Sequence, residues 1–582
     1  MSLFTLPVEL LEHILVHCAY EGHPESIFRA SQTCTTLRDL VYNPSVELLW
    51  REAYLSTLDD PNGPRGILVR FLDWKHDYSE EFCWKKNFIA MLVLRKEWKA
   101  THFSLDTAFY ENLQQNLRSL LSLTMDLPPL LPDRDTSRRA VFLDNLLANG
   151  LPELFVHKLI GKRDLSEWVN SEGVEDFRSK ILAPSWEEWP LGRLFYQVLF
   201  HTSFRPFVAW SCPDVETQRD LARTVARHRV YSMLYPSRLR CWGPFLRCTH
   251  MTLAGNPTQP TRPHELFPDY PFLSAARIVV EANLRSILQL DSEVETSAQV
   301  YPLFSHPYAR RDVYEFIQRI DGKTSVGGDS RADGLNALRM GSGSGFWDGE
   351  QTKTRWLRER DEAEGKRSDS DEDGWDWAGV EGIWARAVCW MDYQDLLYHN
   401  LSAISPHSSS DQLNHNMRET CRISSTTFKI TGYSQPEQPS IPSSKISDHS
   451  EEPSPEEGSQ DSEEESKSES TSTLFDTLVY ALPIIHFSDQ PAPGTTGFEA
   501  QVQASRSIRG TVRMISGGAV RWSMTSRDNL AGEDEWAMEG VQIGGIGSAL
   551  GVVGMWTGVD HGRGEPIGEL LSPVSCEEVA SF

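Results

Sequence analysis

The chain has 582 residues and a formal net charge of −26, from 82 acidic against 56 basic side chains, so it exceeds one small domain and is too acidic for phosphate binding as its general chemistry. The charge is concentrated: residues 359–376 hold nine acids and three bases, residues 434–472 hold eleven acids and two lysines, and the other 525 residues carry only −11. No stretch approaches the ~20 apolar residues that span a bilayer, no basic region precedes an apolar run in Met1–Ala19, and nine scattered cysteines without a CxxC pair read as reduced thiols. The expectation is a soluble protein of the cytoplasm or nucleus, with no nucleic-acid partner, no membrane partner and no cofactor.

In chain order, Pro7 suits the first turn of a helix on which Leu10, Leu11, Ile14 and Leu15 form one stripe. Ile27, Phe28, Ala30, Cys34, Leu37 and Leu40 follow at a second helical spacing, and Asn43-Pro44-Ser45 leads to Leu48, Leu49 and Trp50. Three short helices in about 55 residues have a marginal core, which implies a partner that completes it. From residue 59 to 323 the spacing stays helical. Tyr110, Leu113, Leu117, Leu120 and Leu121 share a face, as do Phe142, Leu146 and Leu147; Asn149-Gly150 predicts a helix stop and Pro152 the next start.

Within this helical region Arg219, Arg223, Arg227, Arg229, Arg238 and Arg240 fall within 22 residues, with Asp220 the only acid. Arg219, Arg223 and Arg227 share a helical face. Such a stripe is suited to a phosphorylated or acidic target, to the protein's own acidic loops, or to plain solvation.

A Gly/Ser-rich and then acidic insertion is expected over residues 324–373. The pattern then changes to alternation: Val512 and Met514, Val520, Trp522 and Met524, Trp536 and Met538, Val541 and Ile543, with Gly517-Gly518 between two runs. Residues 374–433 and 473–566 read as two parts of one antiparallel β unit, separated by a disordered acidic linker at 434–472 and followed by a tail at 567–582. The fold class expected is α+β multidomain. Gly545-Ile546-Gly547-Ser548-Ala549-Leu550-Gly551 imitates a dinucleotide loop but precedes a strand at Val552–Trp556, so it predicts a hairpin turn. Cys241, Cys248 and His250 read as buried side chains, not metal ligands, and neither a nucleophile elbow nor an HExxH motif is present.

The N-terminal segment LPVELLEHIL, followed by ASQTCTTLRDLVYNPSVELLW, resembles an F-box, the adaptor-binding module of SCF-type cullin-RING ubiquitin ligases. The resemblance covers residues 1–58 and implies a three-helix module. It implies that Leu6, Pro7, Leu10, Leu11, Ile14, Leu15 and Trp50 form the adaptor-binding set, with the tryptophan closing the bundle. Five such side chains, each buried at roughly 1.5 to 3 kcal/mol, would contribute about 7 to 15 kcal/mol gross. Trp384–Asn400, Leu482–Asp489 and Arg509–Gly558 resemble the C-terminal halves of large fungal F-box proteins, which are in turn similar to a lipocalin-like barrel. In such a barrel Trp522, Trp536 and Trp556 either line a mouth or fill the interior. The function implied is that of a non-catalytic substrate-recognition subunit, bound to a Skp-type adaptor and through it to a cullin, with an unknown target protein. The alternatives are an F-box scaffold that delivers nothing for ubiquitination and a calycin-like small-ligand binder.

Overall fold

A computed structural model describes residues 6–42, 47–59, 83–99, 107–125, 138–147, 150–161, 181, 183–202, 215–232, 244–247, 266–293, 376–404, 419–436, 479–480, 482–490, 506–546, 548, 550–559 and 574–580. Pro7, at φ −55° and ψ 149°, leads into α1 (Val8–Tyr20), and its carbonyl accepts the amides of Leu10 and Leu11. Next come α2 (Glu25–Ser31), α3 (Thr35–Tyr42) and α4 (Glu47–Thr57). The N-terminal module therefore has four helices where three were expected. The second expected helix is broken because Ser31 and Thr33 turn their hydroxyls back onto the carbonyls of Phe28 and Ala30, and Cys34 Sγ accepts the amide of Leu37. Such local bonds compete with helix continuation.

The helical body comprises α5 (Trp84–Lys99), α6 (Thr107–Met125), α7 (Arg138–Leu147), α8 (Glu153–Leu159), α9 (Pro190–His201), α10 (Val215–Val230) and α11 (Tyr270–Glu293). On α6 Leu113, Leu117 and Leu120 are buried, as their shared face predicts. The stop before α8 also forms: α7 ends at Leu147, and Gly150 takes φ +88° while its amide bonds the Leu147 carbonyl. That left-handed conformation is the reason for glycine there. Cys241, Cys248 and His250, read as buried side chains, lie outside the described residues, as do Arg238 and Arg240. No helix among the described residues is long and apolar enough to cross a membrane.

Strands β1 (Phe245–Arg247) and β2 (Leu266–Pro268) form a small ribbon. The main sheet is antiparallel and curled like a half-barrel, in the order β3 (Gly382–Met391), β4 (Glu419–Ser434), β5 (Ile484–Gln490), β6 (Arg506–Ile515), β7 (Ala519–Asp528), β8 (Glu533–Gln542) and β9 (Val552–Gly558), with α12 (Tyr393–Ile404) after β3. Strand β10 (Val574–Ala580) pairs with both β3 and β9, so the segment expected as a tail supplies the strand that joins the two edges. The acidic segments lie between α11 and β3 and between β4 and β5; residues 324–373 and 437–472 are outside the described residues.

Alternation along each strand gives the sheet two buried faces. Trp384, Phe428, Phe487, Val512, Trp522, Met524 and Met538 form the interior core. Cys389, Met391, Cys421, Ile515, Ala519, Val541, Ile543, Val553 and Met555 point the other way and join the core of the helical body. Helix α11 lies across β3, β4, β9 and β10 on this side. Gly510 lets Phe487 pack closely against β6: a Cβ there would lie 2.5 Å from Phe487 Cζ and 2.7 Å from the Ser523 carbonyl oxygen. Packing runs without interruption from α1 through α4, α5, α6, α9 and α11 to the sheet.

Candidate functional site

Three sets of expected site residues have defined positions. The first is on α1. Leu11 and Leu15 are 6% and 7% exposed and face α4 with Ala19, whereas Leu10 and Ile14, one residue earlier in each turn, are 47% and 43% exposed. Pro7 and Val8 are exposed beside them and Leu6 is half-buried. The stripe read from the sequence therefore divides into a core edge and an outer edge about 100° apart. Trp50 belongs to the core. Its Nε1 donates to the Val41 carbonyl at 3.1 Å, and its ring packs against Phe28 and Phe88 at 5.6 and 6.0 Å between centroids.

Phe88 lies on α5, so a helix of the chain beyond residue 58 completes much of the small module's core. Tyr54 meets Trp84 edge-on at 5.5 Å, and Arg139 Nη2 donates to the Tyr54 hydroxyl at 3.2 Å. The outer edge of α1 remains open. Among the exposed apolar side chains nearby in sequence are Tyr42 and Leu48.

The second set is the arginine stripe on α10. Arg227 Nε donates to Glu419 Oε1 at 2.6 Å, Arg223 Nη2 donates to Glu419 Oε2 at 2.8 Å, and Arg227 Nη2 also bonds Glu419. Arg223 further bonds Asn283 and Ser286 on α11. The Glu419 side chain is fully buried at the start of β4, so these two arginines join helix to sheet. Among the described residues their acidic partner is this strand residue. Arg219 differs: it pairs with exposed Glu216 one turn away.

The third set is the tryptophans. Trp522 is fully buried, 4.8 Å from Trp384 and 5.4 Å from Phe487 between ring centroids, and its Nε1 donates to Gln542 Oε1 at 3.0 Å. Gln542 Nε2 in turn donates to the carbonyls of Ala378 and Ser548. Trp522 fills the interior. Trp536 and Trp556 are half-buried and stacked at 4.0 Å, with the Arg386 guanidinium 5.8 Å from the Trp556 ring centre. They occupy the same inward face nearer one end of the strands.

Two further features had no sequence signal. A cavity of about 180 Å³ among α8, α9, α10 and α11 is lined by Lys158, Glu187, Tyr196, Val225, Arg229 and Ser274. Arg229 pairs with Glu187 across it, and burial raises the Tyr196 hydroxyl to about 12. The second is His201, whose Nδ1 accepts the Gly544 amide at 2.9 Å, tying α9 to the turn between β8 and β9. That turn is where the dinucleotide-like glycines lie, in accord with a hairpin reading. Burial lowers His201 to about 3, so it stays neutral and keeps the Nδ1 lone pair available.

Comparison with protein-family models, curated proteins and solved structures yields no match.

Proposed function

We propose that the chain is a substrate-recognition subunit of an SCF-type cullin-RING ubiquitin ligase, binding a Skp-type adaptor through the outer edge of α1 and a target protein through its C-terminal regions. The observation that carries this reading is the exposure of Leu10 and Ile14 beside Pro7 and Val8, on a helix whose opposite edge is fully engaged in the core. An apolar edge held on a rigid helix is a docking surface in search of a partner. The continuous packing from α1 to the sheet also supports it, because a receptor must hold its two partners at a fixed separation.

Magnitudes limit the interface. Leu11, Leu15 and Trp50 serve the protein's own core, so the side chains available to an adaptor are already half-buried. Covering Val8, Leu10 and Ile14 would contribute only roughly 2 to 5 kcal/mol gross, less than the earlier sum and comparable to the cost of association. The adaptor must therefore also cover neighbouring surface, and Leu6, Pro7 and Leu48 are the apolar side chains at hand.

The filled interior around Trp384 and Trp522 does not favour the small-ligand reading. Affinity purification with the proteasome inhibited tests the proposal. A Skp-type adaptor and a cullin should co-purify with the full chain, and at least one further associated protein should rise in abundance when residues 1–58 are deleted. Adaptor binding without any stabilised protein would favour the scaffold reading, and absence of the adaptor would reject both.

A further inference from the structure

We propose that Cys389 and Cys421 form a redox-modification site, at which a peroxide converts the two thiols to a cross-strand disulfide that pins β3 to β4 beside the Arg223–Glu419–Arg227 junction. Their sulfurs lie 3.4 Å apart, and the two residues are directly opposed in the antiparallel register of β3 and β4. Both are buried on the helix-facing side of the sheet, so neither diffuses away from the other by side-chain motion in open solvent.

Position gives the bond a consequence. Two residues along each strand on the same side, Met391 is paired with Glu419, the carboxylate that takes Arg223 and Arg227 from α10. Directly opposed cross-strand Cβ atoms normally stand about 4.5–5.5 Å apart, whereas a disulfide holds them at about 3.8 Å. Oxidation must draw β3 and β4 together locally, and the next pair along carries that change to the helix–sheet junction.

The chemistry balances with hydrogen peroxide as oxidant. Cys389 donates its S–H toward Cys421, which makes Cys421 the accepting sulfur and the one that attacks first. Cys421, on losing its proton, attacks the O–O bond, forming a sulfenic acid and releasing hydroxide, which becomes water. Cys389 then attacks that sulfur, its proton leaves with the displaced hydroxide as a second water, and the S–S bond forms. Two electrons pass from the two sulfurs to the peroxide. Burial makes the step slow and dependent on local opening.

Mass spectrometry of the full chain decides the matter. Trypsin cuts after Arg386, Arg418 and Arg422, so the two cysteines fall in separate peptides, 387–418 and 419–422. After peroxide treatment, denaturation and thiol blocking with N-ethylmaleimide, the expected product is these two peptides joined and two hydrogens lighter than their sum, and separated again by dithiothreitol. Recovery of both as singly alkylated peptides, at peroxide concentrations that oxidise exposed Cys83, would overturn the proposal, as would unlinked sulfinic acids. The closed loop has a sequence separation of 32 residues, so the oxidised chain should melt about 5 °C or more higher than the reduced one. That shift should be absent in Cys421→Ala, an apolar replacement suited to a buried thiol; a shift that persists there contradicts the assignment. Hydrogen exchange on the oxidised and reduced wild-type chain should differ in α10, and identical exchange would remove the coupling to the junction.

Discussion

Arg227 Nε donates to Glu419 Oε1 at 2.6 Å, joining residues 192 positions apart and tying α10 to the first residue of β4. With Arg223 on the same carboxylate, a cluster read from sequence as a candidate surface for an outside partner becomes an internal junction. Two guanidiniums share one buried carboxylate, so removing its charge weakens both at once.

Glu419→Gln should therefore destabilise the chain by about 3–5 kcal/mol, the usual consequence of stranding buried charge. Arg219→Ala, which removes the pair with Glu216 and a weaker attraction to Glu281, should cost less, about 1 kcal/mol. Chemical denaturation of the two variants compares them directly; equal effects would place Glu419 outside any buried network.

The interior tryptophans should separate in the same way. Trp522→Ala removes a fully buried ring and leaves Gln542 Oε1 without its donor, with an expected loss of about 3–5 kcal/mol. Trp536→Ala removes half of a partly exposed stacked pair, and its expected cost is about 1–2 kcal/mol. Unfolding curves of the two variants record the stability difference, and equal losses would contradict it.

Buried His201 makes a prediction about pH. Its folded value of about 3 lies below the ordinary 6.5, so the unfolded chain binds a proton that the native chain refuses. The stability tied to neutral His201 is complete above pH 6.5 and is lost progressively as pH falls toward 3. At pH 4.5, two units into that window, the loss is about 2.7 kcal/mol. Carboxyl groups such as Glu281 and Asp376, raised by burial, shift stability the opposite way, so the informative quantity is the difference from His201→Gln. The wild-type chain should lose more stability than the variant between pH 7 and 4.5. Parallel curves would show that His201 is not held neutral.

Much of this fold is legible locally. The stop at Asn149-Gly150, the start at Pro152 and the Gly517-Gly518 link between β6 and β7 each rest on a backbone preference of one or two residues, and each forms. The buried face of α6 follows from helical period alone. What was not legible depends on distant partners. Leu10 and Leu11 sit side by side on one apolar stripe, and only the direction of α4 decides which faces out. The Cys389–Cys421 pair and the Glu419 junction come from strand register, which leaves no motif in the sequence. Strand β10, VSCEEVA, lacks apolar alternation because Glu577 and Glu578 are adjacent, so it reads as tail.

The most direct test of the account is adaptor binding by variants that separate the two edges of α1. Purified full chain is mixed with a Skp-type adaptor, and affinity and melting temperature are measured for wild type, Leu10→Asp, Ile14→Asp and Leu11→Asp. Leu10→Asp and Ile14→Asp should abolish binding without lowering the melting temperature, while Leu11→Asp should lower the melting temperature because it places a charge in the core. Adaptor binding that survives both Leu10→Asp and Ile14→Asp would contradict it.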